Sequence, residues 1–127
     1  MSRLFLLIAA LLGLLATGLG AYGAHGLPGK VSPHLVDSFN TAVQYQFFHA
    51  LALMAIGLWL MREHSRLLVA AGIAMILGML GFSGSIYALV LLGSKGFGPI
   101  TPMGGLTLMV GWGLLAVMAM VKGGERE

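Results

Sequence analysis

Chemistry in this chain has to begin with His49, which stands inside the stretch TAVQYQFFHALAL, residues 41–53. Thr41, Tyr45 and His49 recur every four residues, so a helix places them on one stripe, with Gln44 and Gln46 beside it. The residues that follow are fit for hydrocarbon. A polar stripe there must face protein or water, because an unpaired polar group in lipid is costly. Two readings stay open. In one, the stripe is interhelical glue, bonding across to Thr17, Ser83, Ser85, Tyr87 or Thr101. In the other it lines a small cavity open to the outside, with His25 as a second contributor. The candidate cluster is therefore His25, Thr41, Gln44, Tyr45, His49, Tyr87 and Thr101.

Other patterns carry less. His25 and His49 do not suit haem, since His25 lies in a glycine-flanked turn whereas bundle haems have both ligands well inside. His34 and His64 read as interfacial, and no metal ligands, cofactor or catalytic residues are assigned. GFSGS, residues 81–85, approaches the G-x-S-x-G nucleophile elbow but ends in serine, and four membrane spans cannot supply the α/β-hydrolase sheet. It reads instead as close helix packing, with serine hydroxyls bonded back to the backbone. TPMGG, residues 101–105, opens a helix with two glycines, which suit close approach to a neighbour better than anion capture. The acids Asp37, Glu63, Glu125 and Glu127 all lie outside the spans, so a carboxylate-driven exporter is not expected.

The elements that must position these residues follow from composition. Of 127 residues, 58% are hydrophobic and 9% charged, with a mean hydropathy of +0.95. A soluble domain carries about 25% charged residues. No Asp, Glu, Lys or Arg occurs in residues 4–29, 40–61, 67–94 or 96–121. Each window is long enough to cross a hydrocarbon core of ~30 Å. The expected fold is all-α, one domain over residues 1–127, an integral membrane four-helix bundle. Seven basic residues scattered over the span ends make no phosphate-tracking stripe, which excludes nucleic acid as a partner. Arg3, Arg62, Arg66, Lys122 and Arg126 fall on one side and Lys30 and Lys95 on the other, so the positive-inside rule predicts both termini in the cytoplasm. The absence of cysteine excludes disulfides and thiol redox chemistry.

Along the chain, span one is expected from Arg3 to Ala24 and to be retained rather than cleaved as a signal. It carries small residues in two ridges, Ala9, Gly13, Thr17 and Ala21, then Ala16, Gly20 and Ala24, which suit a close helix contact within the chain or between copies. Ser32-Pro33 reads as a helix cap followed by proline at the first helical position. From there an amphipathic interfacial extension should lead into span two, which ends near Met61. Span three, from Leu67 to Gly93, is longer than a bilayer requires, and GFSGS is its expected bend. Thr101-Pro102 repeats the cap-then-proline pattern before span four, which ends near Val121 ahead of the charged tail KGGERE.

Several of these motifs together resemble the YgdD/YwdK-type family of small bacterial inner-membrane proteins, which has a small eukaryotic transmembrane relative. The likeness rests on Gly23-Ala24-His25-Gly26-Leu27, Phe39, Thr41 to Gln46, His49-Ala50-Leu51, Phe82-Ser83-Gly84-Ser85 with Tyr87, Ile100-Thr101-Pro102 with Gly104-Gly105, and Gly111-Trp112. It implies four membrane helices and no established activity, and it supplies no catalytic residue. The combined expectation is a non-enzymatic accessory or binding protein of the bacterial inner membrane. Its partners would be membrane lipid, a second copy or another membrane protein. The alternative is small-molecule or ion binding or permeation through a polar cavity around His49.

Overall fold

Both helix starts that carry a serine are capped as their sequences dictate. Ser32 accepts a hydrogen bond from the Leu35 amide at 3.4 Å, with Pro33 next in line, and Ser65 accepts from the Leu68 amide at 3.4 Å. In the computed structural model, which describes residues 1–126 and side chains as far as Val121, four helices follow in order. They are α1 (Ser2–His25), α2 (Pro33–Arg62), α3 (Arg66–Leu92) and α4 (Ile100–Arg126). All four are long and apolar enough to span a membrane. Among the described residues there is no strand, only an isolated bridge between Pro28 and Val31 in the first long loop. The architecture is a four-helix membrane bundle. The side chains of Lys122 and Arg126, and the rest of the charged tail, lie outside the described residues.

Gly93 ends α3. Its φ of 68° is one that side chains rarely adopt, and it lets the Ser94 amide turn back to the Ala88 carbonyl at 3.2 Å. Sequential helices pack most extensively, so α2 and α3 form the middle pair, flanked by α1 and α4. The apolar interior falls into two clusters. One joins Phe5, Leu53, Ile56, Leu68, Met75, Leu108 and Met118 toward the end that carries the N-terminus and the short 63–65 turn. The other joins Ala16, Leu27, Phe39, Val43 and Val90 toward the two long loops. Phe39 and Val43 carry the amphipathic start of α2 into this second cluster, and that segment is continuous with the span itself.

Close approach is achieved where side chains are missing. Gly104 of α4 lies against Gly78 and Gly81 of α3, and a methyl there would sit 2.8 Å from the Gly78 carbonyl oxygen and 2.7 Å from the Gly81 carbonyl carbon. This glycine seam, rather than a cap, organises the start of α4. Thr101 does not cap the helix, which already begins at Ile100; its hydroxyl instead bonds the Ser85 hydroxyl across the seam. On α1 the ridges divide. Ala9 and Ala16 are buried, but Thr17, Ala21 and Ala24 face outward and Gly13 meets nothing within 4 Å. A strict four-residue spacing drifts around a helix of 3.6 residues per turn. The buried line accordingly steps by four, three and four through Phe5, Ala9, the half-buried Leu12 and Ala16, and returns seven residues on, two turns later, at Gly23. α3 is helical without interruption through GFSGS.

Gly104→Ala is expected to lower stability in detergent by about 1–3 kcal/mol, because backbone rather than a movable side chain blocks the new methyl. Gly13→Leu should melt like the parent. Thermal unfolding of the two variants followed by circular dichroism checks both.

Candidate functional site

Gln46 is the polar residue that three helices share. The buried face of α2 runs through Phe39, Ala42, Val43, Gln46, His49, Ala50, Leu53, Ile56 and Leu60. Gln46 therefore points inward with 4% of its surface exposed. Its amide nitrogen donates to the Leu12 carbonyl of α1 at 2.7 Å, and its amide oxygen accepts from the Tyr87 hydroxyl of α3 at 2.6 Å. Nearby, the Ser83 hydroxyl of α3 donates to the Ala42 carbonyl of α2 at 2.8 Å. Ser85 donates within its own helix to the Phe82 carbonyl at 2.9 Å, as well as meeting Thr101. Among the described residues no buried side-chain nitrogen or oxygen is left without a partner.

His49 belongs to a separate arrangement one turn further along α2. It is 5% exposed, and both ring nitrogens are engaged. Nδ1 lies 2.7 Å from the Tyr45 carbonyl, and Nε2 lies 3.0 Å from the indole nitrogen of Trp112 on α4. A carbonyl only accepts and an indole N–H only donates, so these partners assign the ring proton to Nδ1 and leave the Nε2 lone pair to Trp112. The imidazole thus ties α2 to α4. Neither nitrogen is left to bind a metal ion or a substrate while the indole stays in place. Tyr45 stacks on Phe82 with ring centroids 4.5 Å apart and lies along His49 at 5.7 Å.

These rings border a groove of about 920 Å³ between α2 and α4. Phe48, Leu51, Leu106 and Met109 form its exposed apolar walls, and Pro102 and Trp112 mark its two ends on α4. Its exposed walls lie within two of the helices that are long and apolar enough to span a membrane.

The seven candidate residues do not form one cavity. His49 and Tyr45 border the groove together. Tyr87 joins the Gln46 network and Thr101 the Ser85 pair. Thr41 is exposed and its hydroxyl bonds back to the Asp37 carbonyl at 3.0 Å, while Gln44 is exposed. His25 ends α1 in an exposed position. Its neighbour Gly23 packs against Phe39, which at ~1.5 Å per residue places that level about 15 Å from His49 along α2. Of the two glutamines flanking the sequence stripe, the candidate cluster includes Gln44, which is exposed, whereas Gln46 is the buried one. The apolar and small residues flanking the segment repeat in steps of three and four, and that line passes through Gln46 rather than through Thr41 and Gln44. Trp112 also carried a signal, since an indole N–H deep within a span, away from the interfacial belt, needs a hydrogen-bond acceptor.

Gln46→Leu should cost about 1–2 kcal/mol, because it leaves the part-buried Tyr87 hydroxyl without its acceptor. Adding Tyr87→Phe should recover part of that loss, a non-additivity that equilibrium unfolding in mixed micelles would reveal. His49→Gln retains a donor and an acceptor and should be milder than His49→Leu, which strands the Trp112 indole.

The chain matches the family described as "Protein of unknown function (DUF423)" over residues 19–105. It is 47% identical over 117 residues to a UPF0382 membrane protein of Schizosaccharomyces pombe, covering 87% of this chain and 96% of the relative. A Staphylococcus aureus UPF0382 membrane protein is 42% identical over 115 residues, with 91% and 93% covered. The UPF0382 membrane protein YwdK of Bacillus subtilis is 38% identical over 122 residues, with 94% and 98% covered. No solved structure matches. A bundle of four apolar helices, similar over nearly its whole length to proteins named only as membrane proteins, belongs to the DUF423/UPF0382 family, whose function is unknown.

Proposed function

We propose that the protein is a non-enzymatic accessory protein of the bacterial inner membrane that works by binding within the plane of the bilayer, through the groove between α2 and α4. The observation that carries this reading is the fate of the buried polar groups. His49 has both nitrogens committed to Tyr45 and Trp112, Gln46 is committed to Leu12 and Tyr87, and no buried polar atom of a described side chain is unpaired. Catalysis or ion coordination needs polar groups free to meet a substrate. Among the described residues, moreover, no three His, Cys, Asp or Glu side chains gather where a metal ion would fit. The groove offers surface of the opposite kind, apolar and exposed within the spans. Its partners are then lipid or membrane-embedded protein, and nucleic acid has no basic stripe to bind. The relatives named as membrane proteins support a membrane location, and the inner membrane is the part of this reading that goes beyond them. Orientation follows from charge, with Arg3, Arg62 and Arg66 at the end shared by the N-terminus and the 63–65 turn, and Lys30 and Lys95 at the other. Both termini are cytoplasmic in this reading.

The chain has no cysteine, so single cysteines report cleanly on their surroundings. Leu106→Cys should stay unreactive in intact membranes toward a charged, water-soluble thiosulfonate and toward maleimide, both of which need the thiolate that hydrocarbon suppresses, and should react with either once the protein is denatured. Rapid reaction with the charged reagent would instead establish a water-filled path and overturn the reading. A C-terminal reporter active only in the cytoplasm should give signal, and a periplasmic one should not.

A further inference from the structure

The dimensions of the groove identify what fills it. On α4 it extends from Pro102 to Trp112, which at ~1.5 Å per residue is about 15 Å. The hydrocarbon core of a bilayer is ~30 Å thick, so the groove covers one leaflet and stops near the midplane. A transmembrane helix would need a seat running the full thickness, and helix seats in membranes are built from small residues that let backbones approach. Here the walls are large and soft: Phe48, Leu51, Leu106, Met109 and the ring of Trp112, with Gly105 as the only small residue among them. Such walls conform to a flexible hydrocarbon chain. Thioether side chains in particular fill irregular apolar space.

Charge at the long-loop end of the molecule adds a second constraint. Lys95 is exposed in the loop that leads directly into α4, and the long-loop end of the molecule carries Lys30 and Lys95 against a single acid, Asp37. A basic side chain near the surface favours an anionic headgroup. Building on the function proposed above, we infer that the α2–α4 groove holds one acyl chain of an anionic phospholipid from the leaflet on the long-loop side. The methyl end of that chain lies by Trp112 and the phosphate at the Lys95 end. Trp112, held by His49, closes the floor and sets how deep the chain reaches.

The test uses the full chain in liposomes containing phosphatidylglycerol with a photoactivatable diazirine at mid-chain, the labelled residues being mapped by mass spectrometry. Label should concentrate on residues 45–51 and 102–112. Gly105→Leu should reduce it several-fold by filling the groove, since a Cβ at 105 meets only Phe82, at an ordinary 3.7 Å. Leu106→Trp is a second filler from an exposed wall position. Gly113→Leu, on α4 but not at the groove and with nothing within 4 Å, should leave the labelling unchanged. Phosphatidylcholine bearing the same chain should label less, and Lys95→Gln should erase that preference. Label spread evenly over the lipid-facing leucines of α1, or insensitive to both fillers, would overturn the inference, as would equal labelling by the two lipids. Crosslinks from Leu106→Cys to another polypeptide would replace lipid with a protein occupant while leaving in-membrane binding intact. Reaction of that cysteine with the water-soluble reagent would defeat both.

Discussion

The controlling constraint is the lack of water around a buried polar group. In hydrocarbon, helices gain little from hiding apolar surface, so association depends on close packing and on polar groups finding one another. Gln46 meets this requirement across three helices at once. Its amide reaches α1 by the backbone of Leu12 and α3 by Tyr87, and it lies at the boundary between the two apolar clusters. The register of α1 and α3 against α2 is therefore specified in the middle of the molecule, where apolar contacts alone would let helices slide. α4 is placed differently. Its register against α3 comes from backbone meeting backbone at Gly104, and its tie to α2 is the Trp112–His49 hydrogen bond.

This division of labour accounts for the asymmetry of the bundle. α2 and α3 carry the buried polar residues and the greater share of buried surface, while α1 and α4 expose long rows of leucine, methionine and valine. A helix that meets one main neighbour needs only one specific face. For α1 that face is the line from Phe5 through Ala16 to Gly23. For α4 it is the glycine seam with Leu108, Gly111 and Met118, the last of which receives the Ser65 hydroxyl at 3.3 Å. Because α4 meets α2 chiefly at one ring pair, the space on either side of that pair stays open as a groove.

Much of this was legible in the sequence where a single physical rule decides. Charge-free windows located four spans, and Ser32-Pro33 marked the start of α2 to the residue. The cap pattern at Thr101-Pro102 failed because a seam with α3 outweighed a local preference, drawing that hydroxyl to Ser85. The geometry of the candidate site is less legible. Four-residue spacing joined Thr41, Tyr45 and His49, yet a helix turning every 3.6 residues carries its buried face through Gln46 and His49 and leaves Thr41 outside. His25 shares with His49 its residue type and, in sequence, a place toward the outer helix ends. Only the pairing of Gly23 with Phe39 reveals how far apart the two levels are. The partnership of His49 with Trp112 joins positions 63 apart in the chain, and no local pattern encodes that distance.

The bond between Trp112 and His49 also makes the molecule readable by light. The chain has two tryptophans, and Trp59 packs at the edge of the apolar cluster nearer the N-terminus. Replacing Trp59 with phenylalanine leaves one emitting indole, located at the floor of the groove with its N–H held by an imidazole. Its emission wavelength and its quenching by brominated acyl chains then report the polarity and occupancy of that place, with no probe attached to the protein.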